Sequence, residues 1–265
     1  MKASLGGRVA LVGIAAACAT SPRATTNATS SATASGSIAG ATMAGGEDVV
    51  RGMYQRYAGK WYRALTFRQK TTTFDTAGTP TVTYWFESAL PPGRLRIDIE
   101  PFAEGRAYLW ARDSIFVFRH DSLLQAAPNI NPLLLLGFDV YAQPAEVTIA
   151  KLRGEGFDFA KVHDDTWEGR PVTVVGAAAG DARTKQFWVD KERLLFVRLL
   201  ETSPRGDVTD FRFENYRPLG GGWIAPKVTG LRNGKPFQLE EYSEVNGLAT
   251  VDPSYFDPRA FSHRK

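Results

Sequence analysis

The stretch RLRIDIEPFAEGRAYLWARDSIFVFRH (residues 94–120) contains three short runs in which apolar and polar side chains alternate. In RLRIDIE, a leucine and two isoleucines take one side of the chain and four charged residues take the other. A period of two is typical of a strand with one buried face. Asp113 stands between the second and third runs and predicts a tight turn. Together with TVTYWFES (81–88) before them, these runs predict a four-stranded antiparallel meander.

The second half of the chain repeats this alternating pattern. The dipeptides Glu168-Gly169 and Asn233-Gly234 mark turns there, and the second is a strong hairpin signal. Seven further runs with strand character follow residue 156: FDFAKVHDD, RPVTVVGA, TKQFWVD, LLFVRLLE, VTDFRFENY, WIAPKVTGL and FQLEEYSEV. We therefore expect about eleven strands with no long helix between them, in an α+β, mainly β fold.

Three segments depart from the strand pattern and predict helices. In EDVVRGMYQRYAGKWYRAL, apolar residues recur at helical spacing after two acids, which predicts an amphipathic helix over 47–63. Asn131 is a candidate N-cap, with Pro132 at the first helical position and the four leucines 133–136 after it. A further helix is expected over 144–154.

The first residues of the chain predict a targeting segment. Residues 1–17 combine Lys2 and Arg8 with a short apolar run and small residues, the pattern of a secretory signal. The run is too short to span a membrane, which needs ~20 residues. Cys18, the only cysteine, follows three alanines and leaves two interpretations. Cleavage at an A-x-A site would leave a free thiol. Alternatively, the tetrad resembles a bacterial lipobox, in which case Cys18 is acylated and tethers the protein to a membrane.

The segment after the cysteine predicts a flexible linker. Residues 18–46 are nearly all Ala, Thr, Ser and Gly and offer few side chains large enough to fill a core. With Cys18 lipidated, no thiol remains for a disulfide. The folded domain is then expected over 47–265, a length that suits one domain.

The charge balance is weakly basic and excludes one class of partner. The chain has 32 Lys and Arg against 28 Asp and Glu, a formal net charge of +4. Removal of Lys2 and Arg8 with the signal leaves +2. The basic residues are not clustered as nucleic-acid binding requires, so we expect no nucleic-acid partner.

The sequence lacks the familiar catalytic motifs, and we expect no enzyme. His120-Asp121-Ser122 has the residue types of a triad, but adjacent positions do not converge as a proton relay requires. His163-Asp164-Asp165 is interpreted as a solvated turn rather than a metal site, and residues 220–222 as a glycine turn between strands. No catalytic residue, metal or cofactor is therefore assigned.

The order of these segments resembles the LolA/LolB type of lipoprotein carriers, to which envelope sensors of the RseB type are related. The resemblance covers roughly 47–258. It rests on an N-terminal amphipathic helix, a meander, an apolar helical insert and a second meander. KQFWVDKERLLFVRLLE (185–201), FRFENYRPLGGGWIAPKVTG (211–230) and DPSYFDP (252–258) each resemble local segments of that superfamily.

The resemblance implies a half-open antiparallel β-barrel covered by helices. A large curved sheet of this kind can enclose a ligand cavity. Leu133, Leu134, Leu135, Leu136 and Phe138 are then candidates for a lid. The alternative is an interior helix that fills the barrel permanently. Six aromatic residues on the strands are candidates to line the cavity: Trp85, Phe86, Trp110, Phe116, Phe118 and Trp188. Not all of them can face inward, because sequence neighbours such as Trp85 and Phe86 must point to opposite faces.

The resemblance also implies a function. We expect a membrane-tethered lipoprotein of the bacterial envelope that binds an acyl chain of a lipid or lipoprotein, and a monomer. Ala19 after the cysteine implies the outer membrane, on the periplasmic side. The alternative is an envelope sensor or assembly scaffold with a protein partner and no lipid cargo. The carriers have an arginine that helps to close the lid. No equivalent is assigned, because Arg63 and Arg68 fit surface positions of a strand.

Overall fold

The computed structural model describes residues 45–248 and 250–265, so the predicted signal, Cys18 and most of the predicted linker lie outside the described residues. Three α-helices are present in them, α1 (Gly46–Tyr57), α2 (Pro132–Gly137) and α3 (Ala145–Gly154). The strands of the described residues are: β1 (Ala64–Phe74), β2 (Pro80–Ala89), β3 (Leu95–Ile99), β4 (Arg106–Ala111), β5 (Ser114–Arg119), β6 (Ser122–Pro128), β7 (Val162–Trp167), β8 (Arg170–Val175), β9 (Gln186–Asp190), β10 (Phe196–Thr202), β11 (Val208–Glu214), β12 (Arg217–Leu219), β13 (Gly222–Ile224), β14 (Lys227–Arg232) and β15 (Lys235–Leu248).

Thirteen of these strands form one antiparallel sheet. Their order is β6-β5-β4-β3-β2-β1-β15-β14-β11-β10-β9-β8-β7, while β12 and β13 form a separate hairpin. The end strands β6 and β7 do not pair with each other within the described residues, so the sheet stays open along one side. The mainly β, half-open architecture expected from the sequence is confirmed.

The strand count differs from the expected eleven. The run WIAPKVTGL contains two strands, β13 and β14, because Pro226 lies between them and proline has no N–H for a ladder. Strands β1, β6 and β12 were absent from the count, since their sequences ALTFRQKTTTF, SLLQAAP and RPL do not alternate cleanly. The turns Glu168-Gly169 and Asn233-Gly234 connect neighbouring strands as predicted.

A single pair of strands joins the two halves of the sheet. One meander runs from β1 to β6 and the other from β7 to β15, with the β12–β13 hairpin outside the sheet. The pairing of β1 with β15 connects them, with Ala64 opposite Leu248 at one end and Thr73 opposite Gln238 at the other. We call this pairing the seam.

The three helices cover one face of the sheet, which we call the inner face. The main core lies between them and includes Val50 and Met53 of α1, Ile149 of α3, and Phe67 and Phe187 of the sheet. Each of these side chains is almost completely buried. Burial of apolar area at about 25 cal/mol per Å² is what holds the helices on the strands.

Helix α1 is shorter than the predicted 47–63. It ends at Tyr57, and Gly59 follows with a φ of +73°, a left-handed conformation that stops a helix. Trp61 is nevertheless buried, because its ring stacks on Tyr141 with 3.9 Å between centroids. The helical spacing of apolar residues in the sequence therefore extends beyond the end of α1, to Trp61, which belongs to the core but not to the helix.

The cap predicted for α2 is confirmed. The Asn131 side chain accepts hydrogen bonds from the backbone N–H groups of Leu133 and Leu134, and Pro132 occupies the first turn. Helix α3 starts one residue after the predicted Pro144 and ends at Gly154 as predicted.

The opposite, outer face of β3–β5 is covered by the end of the chain, residues 253–262. Phe261 stacks on Phe118 with 3.9 Å between ring centroids, and Phe256 is buried beside them. We call this segment the C-terminal strap. It covers Arg96 of β3, whose guanidinium lies 4.0 Å from the centroid of the Tyr255 ring.

Candidate ligand site on the inner face

Helix α2 fills the place in which the sequence led us to expect a cavity or a lid. Leu134, Leu135 and Leu136 are buried in the main core, and Leu133 packs against it from the side. The helix lies beside Trp110 at one end, where both line one crevice. At its other end, Gly137 faces Phe213 of β11, so close that a Cβ there would lie 3.2 Å from the ring. Helix α2 thus crosses the inner face with its leucines directed inward.

An open groove leads to this helix from the surface. Its volume is about 630 Å³, and Gly93, Arg94, Asp113, Lys151 and the C-terminal strap are among its walls. A small crevice of about 20 Å³ continues from the groove, with which it shares Gly93 and Lys151. The crevice reaches Leu134 and Leu135. The leucine helix is therefore accessible from solvent at one end.

Asp139, just after α2, fastens this region to the sheet. Its Oδ1 accepts a hydrogen bond from the backbone N–H of Gly93 at 2.9 Å, and its side chain is buried. Burial raises the pKa of Asp139 to about 7, although the bond from Gly93 lowers it. Two residues on, the hydroxyl oxygen of Tyr141 accepts a hydrogen bond from the backbone N–H of Phe196 at 2.9 Å.

The inner face changes in character along the strands. Beside α2, Trp110 pairs with Leu95, which pairs with Ala89, and this row is apolar. Two residues further along, Ile97 pairs with Glu87, the first charged side chain of the inner face in this direction. Each step of two residues is about 7 Å. The apolar zone under α2 thus gives way to polar side chains.

Six polar side chains gather there, on both sides of the seam. They face inward because Phe67, their neighbour on β1, belongs to the main core, and strand residues two apart share a face. Cross-strand pairing brings them together, with Gln69 opposite Tyr242 and Thr71 opposite Glu240. We call them the polar cluster: Gln69, Thr71, Glu87, Gln238, Glu240 and Tyr242.

The polar cluster is buried but only partly hydrogen-bonded. Gln69, Thr71, Glu87 and Gln238 are each at least nine-tenths buried, while Glu240 keeps some exposure. The Tyr242 hydroxyl donates to Glu240 Oε2 at 2.9 Å, and Gln238 Nε2 donates to Glu240 Oε1. Gln69 Nε2 donates to the Thr71 hydroxyl at 2.8 Å.

Two acceptor atoms of the polar cluster are buried without a partner within the described part of the chain. They are Oε1 of Gln69 and Oε1 of Gln238. In addition, no described side chain or backbone N–H donates to the Glu87 carboxyl, and no described Lys or Arg forms an ion pair with Glu87 or Glu240. An unpaired buried oxygen is costly, so the two glutamine oxygens call for an explanation.

Burial controls the acid–base properties of the polar cluster. Desolvation raises the pKa of Glu87 well above its ordinary value, and the neighbouring Glu240 raises it further. Desolvation also raises the pKa of Glu240, although hydrogen bonds from Tyr242, Gln238 and Gln69 lower it. Both carboxyls therefore favour the neutral form more than an exposed glutamate does.

The structure divides the predicted cavity residues among three packing clusters, except for Phe86, which belongs to none of them. Trp110, Leu134, Leu135, Leu136 and Phe138 belong to the main core, with Trp85 and Leu133 partly buried against it.

The remaining candidates lie elsewhere. Phe116 and Phe118 pack on the outer face beside the C-terminal strap, and Trp188 belongs to a separate outer cluster. The Phe86 ring contacts the guanidinium of Arg264, 3.4 Å from the ring centroid. Trp85 and Phe86 thus point to opposite faces, as alternation requires. The inner-face subset consists of Trp85, Trp110 and the α2 residues.

The polar cluster was not found by sequence reasoning, although one signal for it was present. In TVTYWFES, Trp85 and Glu87 are two residues apart and share a face, so a buried Trp85 implies an inward Glu87. The partners on β15 are distant in the sequence, and only the seam brings Gln238 and Glu240 beside Gln69.

Other candidate residues of the sequence lie away from this site. Arg68 is on the outer face and pairs with Glu100 at 3.0 Å. His163 and Asp164 belong to the edge strand β7 rather than to a turn. Within the described residues no three His, Cys, Asp or Glu side chains gather as metal ligands would, and no helix there is long and apolar enough to cross a membrane.

No protein-family model matches this sequence, and no curated protein matches it either. Solved structures do match the fold. A protein of the DUF1329 family from Desulfovibrio piger superposes with a TM-score of 0.58 at 14% identity, over 82% of this chain and 98% of that one. A domain described as an outer membrane lipoprotein-sorting protein, from Vibrio parahaemolyticus, gives a TM-score of 0.59 at 12% identity, over 80% and 96%.

A third solved structure is similar over the same part of the chain. It is a LolA superfamily protein from Nitrosomonas europaea, with a TM-score of 0.51 at 15% identity, over 78% of this chain and 97% of that one. At these identities the likeness concerns the fold. The open sheet, the helices on its inner face and these superpositions together show that the chain has the fold of the LolA superfamily.

Proposed function

We propose that this protein is a membrane-tethered lipoprotein of the bacterial envelope that binds an acyl chain of a lipid or lipoprotein between α2 and the sheet. Cys18 is the lipidated tether, and residues 18–46 are the linker between it and the folded domain. The protein acts as a monomer at the outer membrane, facing the periplasm. Its role is to accept or hold the acyl chain rather than to catalyse a reaction.

The observation that carries this proposal is the position of α2. Its leucines occupy the apolar centre of the inner face, and the crevice reaches two of them from an open groove. A helix of six residues has little stability of its own, since isolated helices much shorter than ~12 residues are marginal in water. Helix α2 is therefore held by packing, and an acyl chain can replace that packing.

The energetics of the exchange favour a long apolar ligand. An acyl chain that takes the place of the α2 leucines buries apolar area worth about 25 cal/mol per Å². Against this stand the loss of the leucine contacts and of the Asn131 cap. The free energy gained from the acyl chain and the free energy lost from α2 are similar in kind. This similarity suits a protein that must both accept and release its ligand.

Native mass spectrometry of the full chain tests the proposal. Incubation with a fatty acid or a monoacyl phospholipid should add the mass of one such molecule to the folded protein. This mass should disappear on denaturation. A folded protein that stays unliganded with every lipid offered contradicts acyl binding.

One observation favours the alternative of a sensor or scaffold with a protein partner. The edge strand β6 exposes two leucines, Leu123 at 52% and Leu124 at 63%. An unpaired edge with exposed apolar side chains suits the addition of a partner's strand. Failure of lipid binding together with a protein partner protected along β6 would support this second function.

A further inference from the structure

We propose that the polar cluster recognises a primary ammonium group at the polar end of the bound ligand. This inference rests on the proposed function, because it concerns the end of the ligand that lies beyond the apolar zone under α2. It specifies the chemical class of that end, a group with a positive charge and several N–H donors.

The hydrogen-bonding inventory of the cluster points to a donor. Gln69 Oε1 and Gln238 Oε1 are buried and unpaired within the described residues, and the side chain of Glu87 is buried with no described donor to its carboxyl. The donors that the cluster does contain, on Gln69, Gln238 and Tyr242, are directed to Thr71 and Glu240. What this arrangement lacks is N–H groups, and an ammonium provides three of them.

The charges of the cluster point to a cation rather than to a polyol or an anion. The Glu240 carboxyl lies near enough to Glu87 to disfavour ionisation of Glu87, and no described Lys or Arg offsets either carboxyl. A cation placed between them would stabilise both carboxylates. A phosphate or carboxylate in the same place would be repelled.

The surroundings suit an ammonium carried on an apolar chain. Phe67 stacks on Tyr242 with 4.3 Å between ring centroids, and Trp85 pairs with Gln69 on the neighbouring strand. Aromatic faces attract cations, most strongly where water is excluded. The apolar row of Leu95 and Trp110 begins two residue pairs away along β3, which provides a place for the chain.

A metal ion fits the cluster less well. A cation such as Ca²⁺ takes six to eight oxygen ligands, with several carboxylates among them. The polar cluster offers two carboxylates, and no third Asp, Glu, His or Cys of the described chain joins them. The ammonium accounts for the same unpaired oxygens with fewer ligands.

Binding of three compounds with the same alkyl chain to the full chain tests this inference by calorimetry. They are decylamine, decyltrimethylammonium, which has the charge without N–H donors, and decanol, which lacks the charge. We expect decylamine to bind about tenfold more tightly than the other two, as charge-assisted hydrogen bonds imply. Glu87→Gln/Glu240→Gln should abolish this preference and keep the binding of decanol.

A matched control and a milder variant keep the test decisive. Glu241→Gln removes the adjacent carboxylate, which is exposed on the outer face and paired with Lys70, and it should keep the full preference. If the double variant does not fold, Glu240→Gln alone should reduce the preference. If lysophosphatidylethanolamine competes with decylamine, the source of the ammonium group is a lipid headgroup. If it does not compete, the ligand is a free alkylamine.

The possible failures are distinguishable. Equal affinity for all three compounds overturns ammonium recognition and leaves acyl binding intact. Preference for decyltrimethylammonium, or a preference for decylamine that survives the double variant, also overturns it. Absence of binding by any of the compounds overturns both this inference and the proposed function.

Discussion

Arg96 and Asp98 form a buried ion pair on the outer face of β3, with 2.7 Å between Arg96 Nη2 and Asp98 Oδ1. Their side chains are only 3% and 4% exposed. The C-terminal strap completes the pair. Arg96 Nη2 donates to the backbone carbonyl of Ser262 at 2.6 Å, and the Tyr255 hydroxyl donates to Asp98 Oδ2 at 2.9 Å. An ion pair whose residues alternate with the inner-face residues of β3 thus depends on the end of the chain.

Asp98→Ala should lower the free energy of unfolding by about 3–5 kcal/mol, because it leaves the Arg96 charge buried without its partner. Arg96→Met/Asp98→Leu, which removes both charges, should cost much less. Urea unfolding of the two variants and the wild type measures the difference. Equal losses for both variants would contradict the interpretation.

Asp139→Asn should change how stability depends on pH. Burial raises the pKa of Asp139 from 3.8 to about 7, so between these values the folded protein holds a proton that the unfolded chain has lost. Wild-type stability should therefore fall as pH rises through this window, by roughly 4 kcal/mol at most. The asparagine variant should lack this component of the fall.

Urea unfolding from pH 4 to pH 8.5 checks this expectation. The advantage of Asp139→Asn over the wild type should grow with pH and level off above about 7. Asp165→Asn, at an exposed carboxylate on β7, serves as the control and should run parallel to the wild type. A constant difference between Asp139→Asn and wild type would refute the assignment.

Alanine substitutions at two glycines, Gly221 and Gly234, allow the cost of backbone strain to be measured separately from the cost of steric conflict. Gly221 and Gly234 have φ values of +83° and +78°, so alanine is strained at both. A Cβ on Gly221 would lie 2.2 Å from the Lys60 carbonyl oxygen, whereas one on Gly234 meets open space. We expect Gly234→Ala to cost about 1 kcal/mol and Gly221→Ala distinctly more. Thermal unfolding of the two variants measures this, and equal losses would contradict it.

Removal of the α2 cap should strengthen lipid binding while it weakens the fold. Asn131→Ala takes away the acceptor for two N–H groups and should cost about 1 kcal/mol of stability. If the ligand must displace α2, its affinity should rise by up to about fivefold, because displacement then costs less. Fluorescence titration with a dansyl-labelled fatty acid measures the affinity.

A turn held by the same kind of hydrogen bond provides the control for this prediction. The Asp181 side chain accepts from the backbone N–H groups of Arg183 and Thr184 between β8 and β9, and it lines neither the groove nor the crevice. Asp181→Ala should weaken the fold without a gain in affinity. A similar gain in both variants would indicate general loosening rather than displacement of α2.

The local features of the fold could be predicted because neighbouring residues determine them. Asn131 and Pro132 specify the start of α2, and Asn233-Gly234 specifies the β14–β15 hairpin. Alternation assigned the isoleucines of β3 to one face correctly. It could not show that Arg96 and Asp98, on the other face, are also buried, because the residues that cover them lie 157 positions or more further along the chain.

The candidate site was predictable only in part for the same reason. The leucines of α2 were recognised from their run, and they do lie at the centre of the inner face. The polar cluster depends on the pairing of Gln69 with Tyr242, which no local pattern indicates. Glutamate and glutamine on strands usually face solvent, and only the seam and the helices above it make these positions interior.

The seam also determines when the sheet can finish folding during synthesis of the chain. Ser243 and Arg68, in contact across it, are 175 positions apart. At about 5–20 residues per second, a ribosome needs roughly ten to thirty seconds to synthesise that interval. During this time β1 presents an unpaired edge, a hazard for association with other chains. Since β15 is the last strand, we expect the two half-sheets to fold separately and to join late, and a chaperone that holds the nascent chain would act on β1.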